Sequence, residues 1–145
     1  MKHLWSIVCK QAIINNETKT LSIIDVIEEI TFHVSANLPK EKITFPCDFE
    51  IVSYWIREDI NKEKDVDFLL EIIDPNGEKI GGANGKMAFP LGEKRRMRTI
   101  IKSKTFVYTT EGQYLFKIKL NEEKKEPVAE IPIEVRLQTI SEAKK

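Results

Sequence analysis

Catalysis or metal binding in this chain would have to draw on two imidazoles, His3 and His33, and two thiols, Cys9 and Cys47. Neither histidine has a second Cys or His at metal-ligand spacing, so no zinc site is expected, and neither cysteine lies in a nucleophile signature. The thiols read as small apolar side chains, reduced and unpaired in a cytoplasmic protein. The stretch GGANGKM, residues 81–87, invites a phosphate-loop reading. That loop needs Gly five residues before its Gly-Lys pair and Ser or Thr after it, and Ile80 and Met87 stand there instead. The glycines are therefore expected to mark turns or a bulge.

Charged residues offer two further candidates. Glu58, Asp59, Glu63, Asp65, Asp67 and Asp74 gather in the middle of the chain. Loop carboxylates of this kind could serve a hydrolase, or could hold calcium and bridge to anionic lipid as in C2-like domains. Lys62 and Lys64 interleave with them, which favours a solvated loop. The second candidate is KRRMRTIIKSK, residues 94–104, with six cations and no acid. In a strand, Lys94, Arg96, Arg98, Lys102 and Lys104 share one face, broken by Ile100, while Met97, Thr99 and Ile101 face the core. This is a candidate anion-binding row. Two structural readings compete with it: pairing with carboxylates such as Glu130 and Glu134 on a neighbouring strand, or charge guarding a sheet edge. The whole chain carries 23 basic and 23 acidic residues, so it has no global bias toward nucleic acid, which is not an expected partner.

The elements that must position these groups are strands. Tyr114, Phe116, Ile118 and Leu120 alternate with polar residues, as do Ala129, Ile131, Ile133, Val135 and Leu137, and a period of two puts each set on one face of a strand. Trp5, Ile7 and Cys9 belong to a first strand rather than a signal peptide. The polar turn NNETKT, residues 15–20, joins it to LSIIDVIEEITFHV. Within that segment residues 23–30 also fit a helical stripe; β-branched content favours one strand with a bulge near Asp25. Residues 35–46 read as a loop, 49–56 and 66–73 as strands, DPNG at 74–77 as a turn, the stretch ending at MAFP (87–90) as a weaker strand interrupted by Gly81, Gly82 and Gly85, and 95–103 as another strand. No run reaches the roughly 18 apolar residues of a membrane span. The 145 residues, 41% hydrophobic, suit one domain over 1–140 with a frayed tail at 141–145. Its expected class is all-β: a single antiparallel β-sandwich of seven to nine strands, C2-like or immunoglobulin-like.

EGQYLFKI, residues 111–118, resembles the corner of immunoglobulin-like sandwiches, where a tyrosine hydroxyl hydrogen-bonds back over a loop. Tyr114 would be that residue, and Phe116 stands where such domains carry their second cysteine. From Leu4 onward, LWSIVCKQAIINNETKTLSIIDVIEEI and FEIVSYWIRED resemble a family of small bacterial proteins known as a domain of unknown function. The resemblance implies a compact β-sandwich and brings no catalytic residue, substrate or cofactor. Lacking a catalytic grouping, the chain is expected to be a non-enzymatic binding module with a protein partner and no cofactor.

Overall fold

The computed structural model describes residues 1–35, 42–59, 65–88, 95–120 and 126–140. Among them every regular element is a strand: β1 (Lys2–Ile14), β2 (Leu21–Val26), β3 (Glu29–Ser35), β4 (Ile43–Ile56), β5 (Asp65–Ile73), β6 (Lys79–Ala88), β7 (Arg96–Tyr108), β8 (Gly112–Leu120) and β9 (Ala129–Ile140). They form a four-stranded sheet in the order β2-β1-β4-β7 and a five-stranded sheet in the order β3-β9-β8-β5-β6. The two sheets pack together, and the larger is curled like a half-barrel. Among the described residues no helix is long and apolar enough to cross a membrane. The stretch 141–145, expected to be a tail, lies outside the described residues.

Alternation drives this packing. Tyr114, Phe116, Ile118 and Leu120 of β8 are all buried, as are Ile133 and Val135 of β9, and Tyr114 lies opposite Ile133. Facing them from the smaller sheet are Val8, Phe49, Ile51, Trp55 and Phe106. Phe106 is the hub. Its ring centroid lies 5.1 Å from Tyr114, 5.6 Å from Phe32, 6.4 Å from Phe49 and 6.5 Å from Phe116. Phe106 meets Tyr114 and Phe49 edge-on, Phe32 tilted and Phe116 near-parallel, so the two inner faces are joined by rings.

Four expectations need correction. LSIIDVIEEITFHV is not one bulged strand: Asp25 takes a φ of 52°, and the chain then leaves β2 for β3 in the other sheet. Residues 23–30 thus hold a sheet switch and no helix. An Asp tolerates the left-handed conformation because its short polar side chain bonds locally. The sandwich is not wholly antiparallel either, since β3 runs parallel to β9 from Glu29 opposite Glu134 to Ser35 opposite Ile140. Strand β4 begins at Ile43, inside the expected loop 35–46, and includes Pro46. Proline is tolerated there because, among the described residues, β1 pairs only with Glu50–Ile56 of β4 and leaves one side of Pro46 without a neighbouring strand, beside a register shift. Finally, Gly81, Gly82 and Gly85 lie within β6 rather than in turns, while the register shift between Ile72 and Ile73 falls beside Gly81, as the bulge reading expects. A Cβ at Gly82 would sit 2.3 Å from the Leu70 carbonyl oxygen, and one at Gly85 would sit 2.2 Å from the Phe68 ring. Close approach to β5 explains these two glycines.

Candidate functional site

The register of β1, β4 and β7 sorts their side chains into crosswise rows. On the inner face lie His3–Trp55–Met97, Ser6–Ser53–Thr99 and Val8–Ile51–Ile101. The outer face carries Lys2–Ile56–Arg96, Trp5–Tyr54–Arg98, Ile7–Val52–Ile100 and Cys9–Glu50–Lys102. The cationic strand therefore turns Arg96, Arg98 and Lys102 outward and Met97 and Ile101 to the core, where both pack. Lys94 lies outside the described residues. Strand β7 is an edge of its sheet, with Tyr54 and Glu50 of β4 beside its cations. Glu130 and Glu134 are not its partners: both are on β9 in the other sheet, where Glu130 lies 3.8 Å from Lys117. The sequence shows how alternation orients each strand, but not which strands become neighbours.

The row divides by what each cation touches. Lys102 lies 3.6 Å from Glu50, whose other carboxylate oxygen accepts the Ala12 amide. Arg98 donates to the Lys19 carbonyl at 3.1 Å. Ala12 and Lys19 belong to the β1–β2 hairpin and its turn, so that hairpin reaches over the outer face and is held at both contacts. Its presence explains how Cys9 and Val52 are fully buried although they point away from the core. At the other end the face stays open. There the Arg98 guanidinium lies 5.7 Å from the Tyr54 ring centre, Trp5 packs against Tyr54 at 5.5 Å, and Arg96 reaches the Tyr54 hydroxyl at 3.5 Å. Among the described residues neither arginine, nor Lys104, has a carboxylate partner. Sequence reading found the arginines but missed Trp5 and Tyr54. The available signal was the alternation that places Trp5 and Tyr54 on the opposite face from Val8 and Trp55.

The acidic candidates disperse. Asp65 and Asp74 flank the length of β5, about 30 Å apart along the chain direction. Glu58 lies 3.9 Å from the α-amino nitrogen of Met1, and Glu63 is outside the described residues. Among the described residues no group of three His, Cys, Asp or Glu side chains could hold a metal ion. Asp74 instead closes a structural network. Its carboxylate accepts the Asn76 and Glu78 amides at 2.9 and 2.8 Å and the Thr109 hydroxyl at 2.8 Å. Burial alone would raise its pKa, but those bonds and the charge of Lys42 outweigh it and hold the carboxyl below its usual value. Beside Thr109 the Tyr114 hydroxyl accepts the Thr109 and Thr110 amides at 2.9 and 3.2 Å and donates to the Thr110 carbonyl at 2.8 Å. The tyrosine corner expected from EGQYLFKI is present.

Of the remaining reactive groups His33 is exposed on β3, and the others are tied to the interior. His3 Nε2 lies 2.7 Å from Ser6 Oγ, which lies 2.7 Å from Ser53 Oγ, and its ring meets Trp55 edge-on at 5.0 Å. Burial lowers the His3 pKa, only partly opposed by a hydrogen bond with the Trp5 backbone, which favours the neutral ring. Both cysteines are free, and burial raises each thiol's pKa, assisted by Glu50 at Cys9 and Asp48 at Cys47. A raised pKa suppresses the nucleophilic thiolate. A cavity of about 230 Å³ between β6 and β7 is lined mainly by apolar residues, including Phe49, Ile72, Ile80 and Ile101. No acid or histidine lines it, and its one charged residue, Lys102, is the partner of Glu50.

No protein-family model matches the chain, and none of the curated proteins compared with it does. The resemblance to a bacterial domain of unknown function therefore adds nothing to the geometry of the open face.

Proposed function

We propose that the protein is a non-enzymatic interaction module that binds an acidic segment of a partner protein through the open end of the four-stranded sheet. The contact surface is Lys2, Trp5, Tyr54, Arg96 and Arg98. One observation carries the reading: Tyr54 stands between Trp5 and two arginines that lack carboxylate partners among the described residues. Trp, Tyr and Arg are the residue types that dominate binding energy at protein interfaces, and they act best when held in place before binding. Arg98 is held by the Lys19 carbonyl, so its guanidinium is already stacked on Tyr54. The surplus positive charge selects a partner offering carboxylates, which Arg binds with two parallel hydrogen bonds. A C2-like or immunoglobulin-like frame is compatible with such a role, because these sandwiches present rigid sheet faces.

Peptides of random sequence displayed on phage and selected on the wild-type protein should be enriched in Asp and Glu beside an apolar residue. Resynthesised peptides should bind more weakly in high salt. Trp5→Ala and Arg96→Glu should each weaken them at least about tenfold while leaving the melting temperature near wild type. Selected peptides without acidic bias, or equal binding by both variants, would reject this surface.

A further inference from the structure

The cavity of about 230 Å³ lies where β6, an edge of the larger sheet, faces β7, an edge of the smaller. Leu70 and Ile72 of β5 line it, and the register sets Ala83 and Gly81 of β6 opposite them. The other wall holds Ile101 and Ser103 of β7, paired with Ile51 and Phe49 of β4. Small residues thus stand on β6 where large ones would fill the space toward β7. Gly81 is the informative position. Gly82 and Gly85 are glycines because a Cβ would collide with β5, whereas a Cβ at Gly81 meets nothing nearer than Ile72 Cδ1 at 3.7 Å, an ordinary contact. The register shift beside it does not demand glycine either, because Gly81 lacks the positive φ of a glycine bulge. Neither crowding nor backbone conformation calls for glycine there. What its missing side chain provides is room, in an interior that is ordinarily packed without gaps larger than a water.

We propose that this cavity binds a small, uncharged, mainly apolar molecule carrying one hydroxyl, of the class of a medium-chain alcohol. The proposal is independent of the Trp5–Arg98 surface, which lies on the outer face of the sheet. An apolar cavity of roughly 150 Å³ takes benzene, so one of about 230 Å³ suits about nine non-hydrogen atoms. Charge is selected against. A carboxylate or ammonium buried among Leu70, Ile72, Ile80 and Phe106 would find no opposite charge, since the one charged lining residue, Lys102, is turned to Glu50. One hydroxyl is accommodated by Ser103. Its Oγ donates to the Thr105 carbonyl at 2.9 Å, so its proton is committed and its lone pairs can accept a ligand O–H. Entry breaks no ladder, because β6 and β7 belong to different sheets and are not paired with each other.

Methyl NMR spectra of the wild type titrated with octanol should show saturable shifts at Leu70, Ile72, Ile80 and Ile101, with nuclear Overhauser contacts from the alkyl chain to those methyls. Octanoate at neutral pH should bind at least about tenfold more weakly. Ala83→Leu should fill the cavity and abolish octanol binding, while its melting temperature holds or rises because a filled cavity adds packing. Gly81→Val, at a position where a Cβ has room, repeats that test if Ala83→Leu fails to fold. The Overhauser contacts locate the alcohol in the wild type without any variant. No saturable binding up to the solubility limit of octanol overturns the inference. So do contacts confined to other residues, octanoate binding as tight as that of octanol, or octanol binding retained by a folded, cavity-filled variant.

Discussion

Replacing Asp74 with Ala is expected to destabilise the fold by about 3 kcal/mol at neutral pH, because charged acceptors contribute more per bond than neutral ones and Asp74 is nearly buried. Its carboxylate holds the β5–β6 turn and, through Thr109, the chain entering β8. Tyr114→Phe should cost about 2 kcal/mol, since the ring is fully buried and its loss of a hydroxyl leaves the Thr109 and Thr110 amides without their acceptor. Both residues act on Thr109, so the double variant should lose less than the sum of the two. The pH dependence has a definite sign. The folded pKa of Asp74 is depressed, so its contribution is present above the unfolded carboxylate value and is lost as pH falls through the folded one. The gap in melting temperature between wild type and Asp74→Asn should therefore be widest near neutrality and should narrow below about pH 4. A gap that stays constant down to acid pH would mean that Asp74 acts by packing alone.

The sequence made this corner half readable. The spacing of Gly112, Tyr114 and Phe116 pointed to a pinned tyrosine, and DPNG to a turn, but nothing in one dimension joined Asp74 to Thr109, 35 residues later. The same division runs through the molecule. Alternation orients a strand's two faces, so the core faces of β8 and β9 and the outward row of β7 follow from local pattern. Strand neighbours depend on long-range pairing, so Glu130 and Glu134 were natural partners for the arginines on paper, although β9 lies in the other sheet. The switch at Asp25 was visible only as a break in period, which a bulge would produce equally well. Trp5 and Tyr54 were unremarkable until β1 and β4 paired.

Glu50 should separate the structural half of the cationic row from the binding half. Glu50→Ala is expected to cost about 2 kcal/mol, because a nearly buried carboxylate that accepts the Ala12 amide and faces Lys102 is removed. Lys102→Glu should cost less, about 1 kcal/mol, since the lysine is mostly exposed and its pair is screened by solvent. Both should speed hydrogen exchange at the Ala12 amide, because both loosen the hairpin that covers Val52 and Cys9. Arg96→Glu should do neither: its contact with the Tyr54 hydroxyl is long, and its guanidinium is exposed. Arg98 sits between the two groups, since it both pins Lys19 and stacks on Tyr54, so Arg98→Glu should raise exchange in the hairpin and weaken acidic peptides together. If Arg96→Glu destabilises the protein as much as Glu50→Ala does, the row is structural along its whole length and the open face loses its claim to a partner.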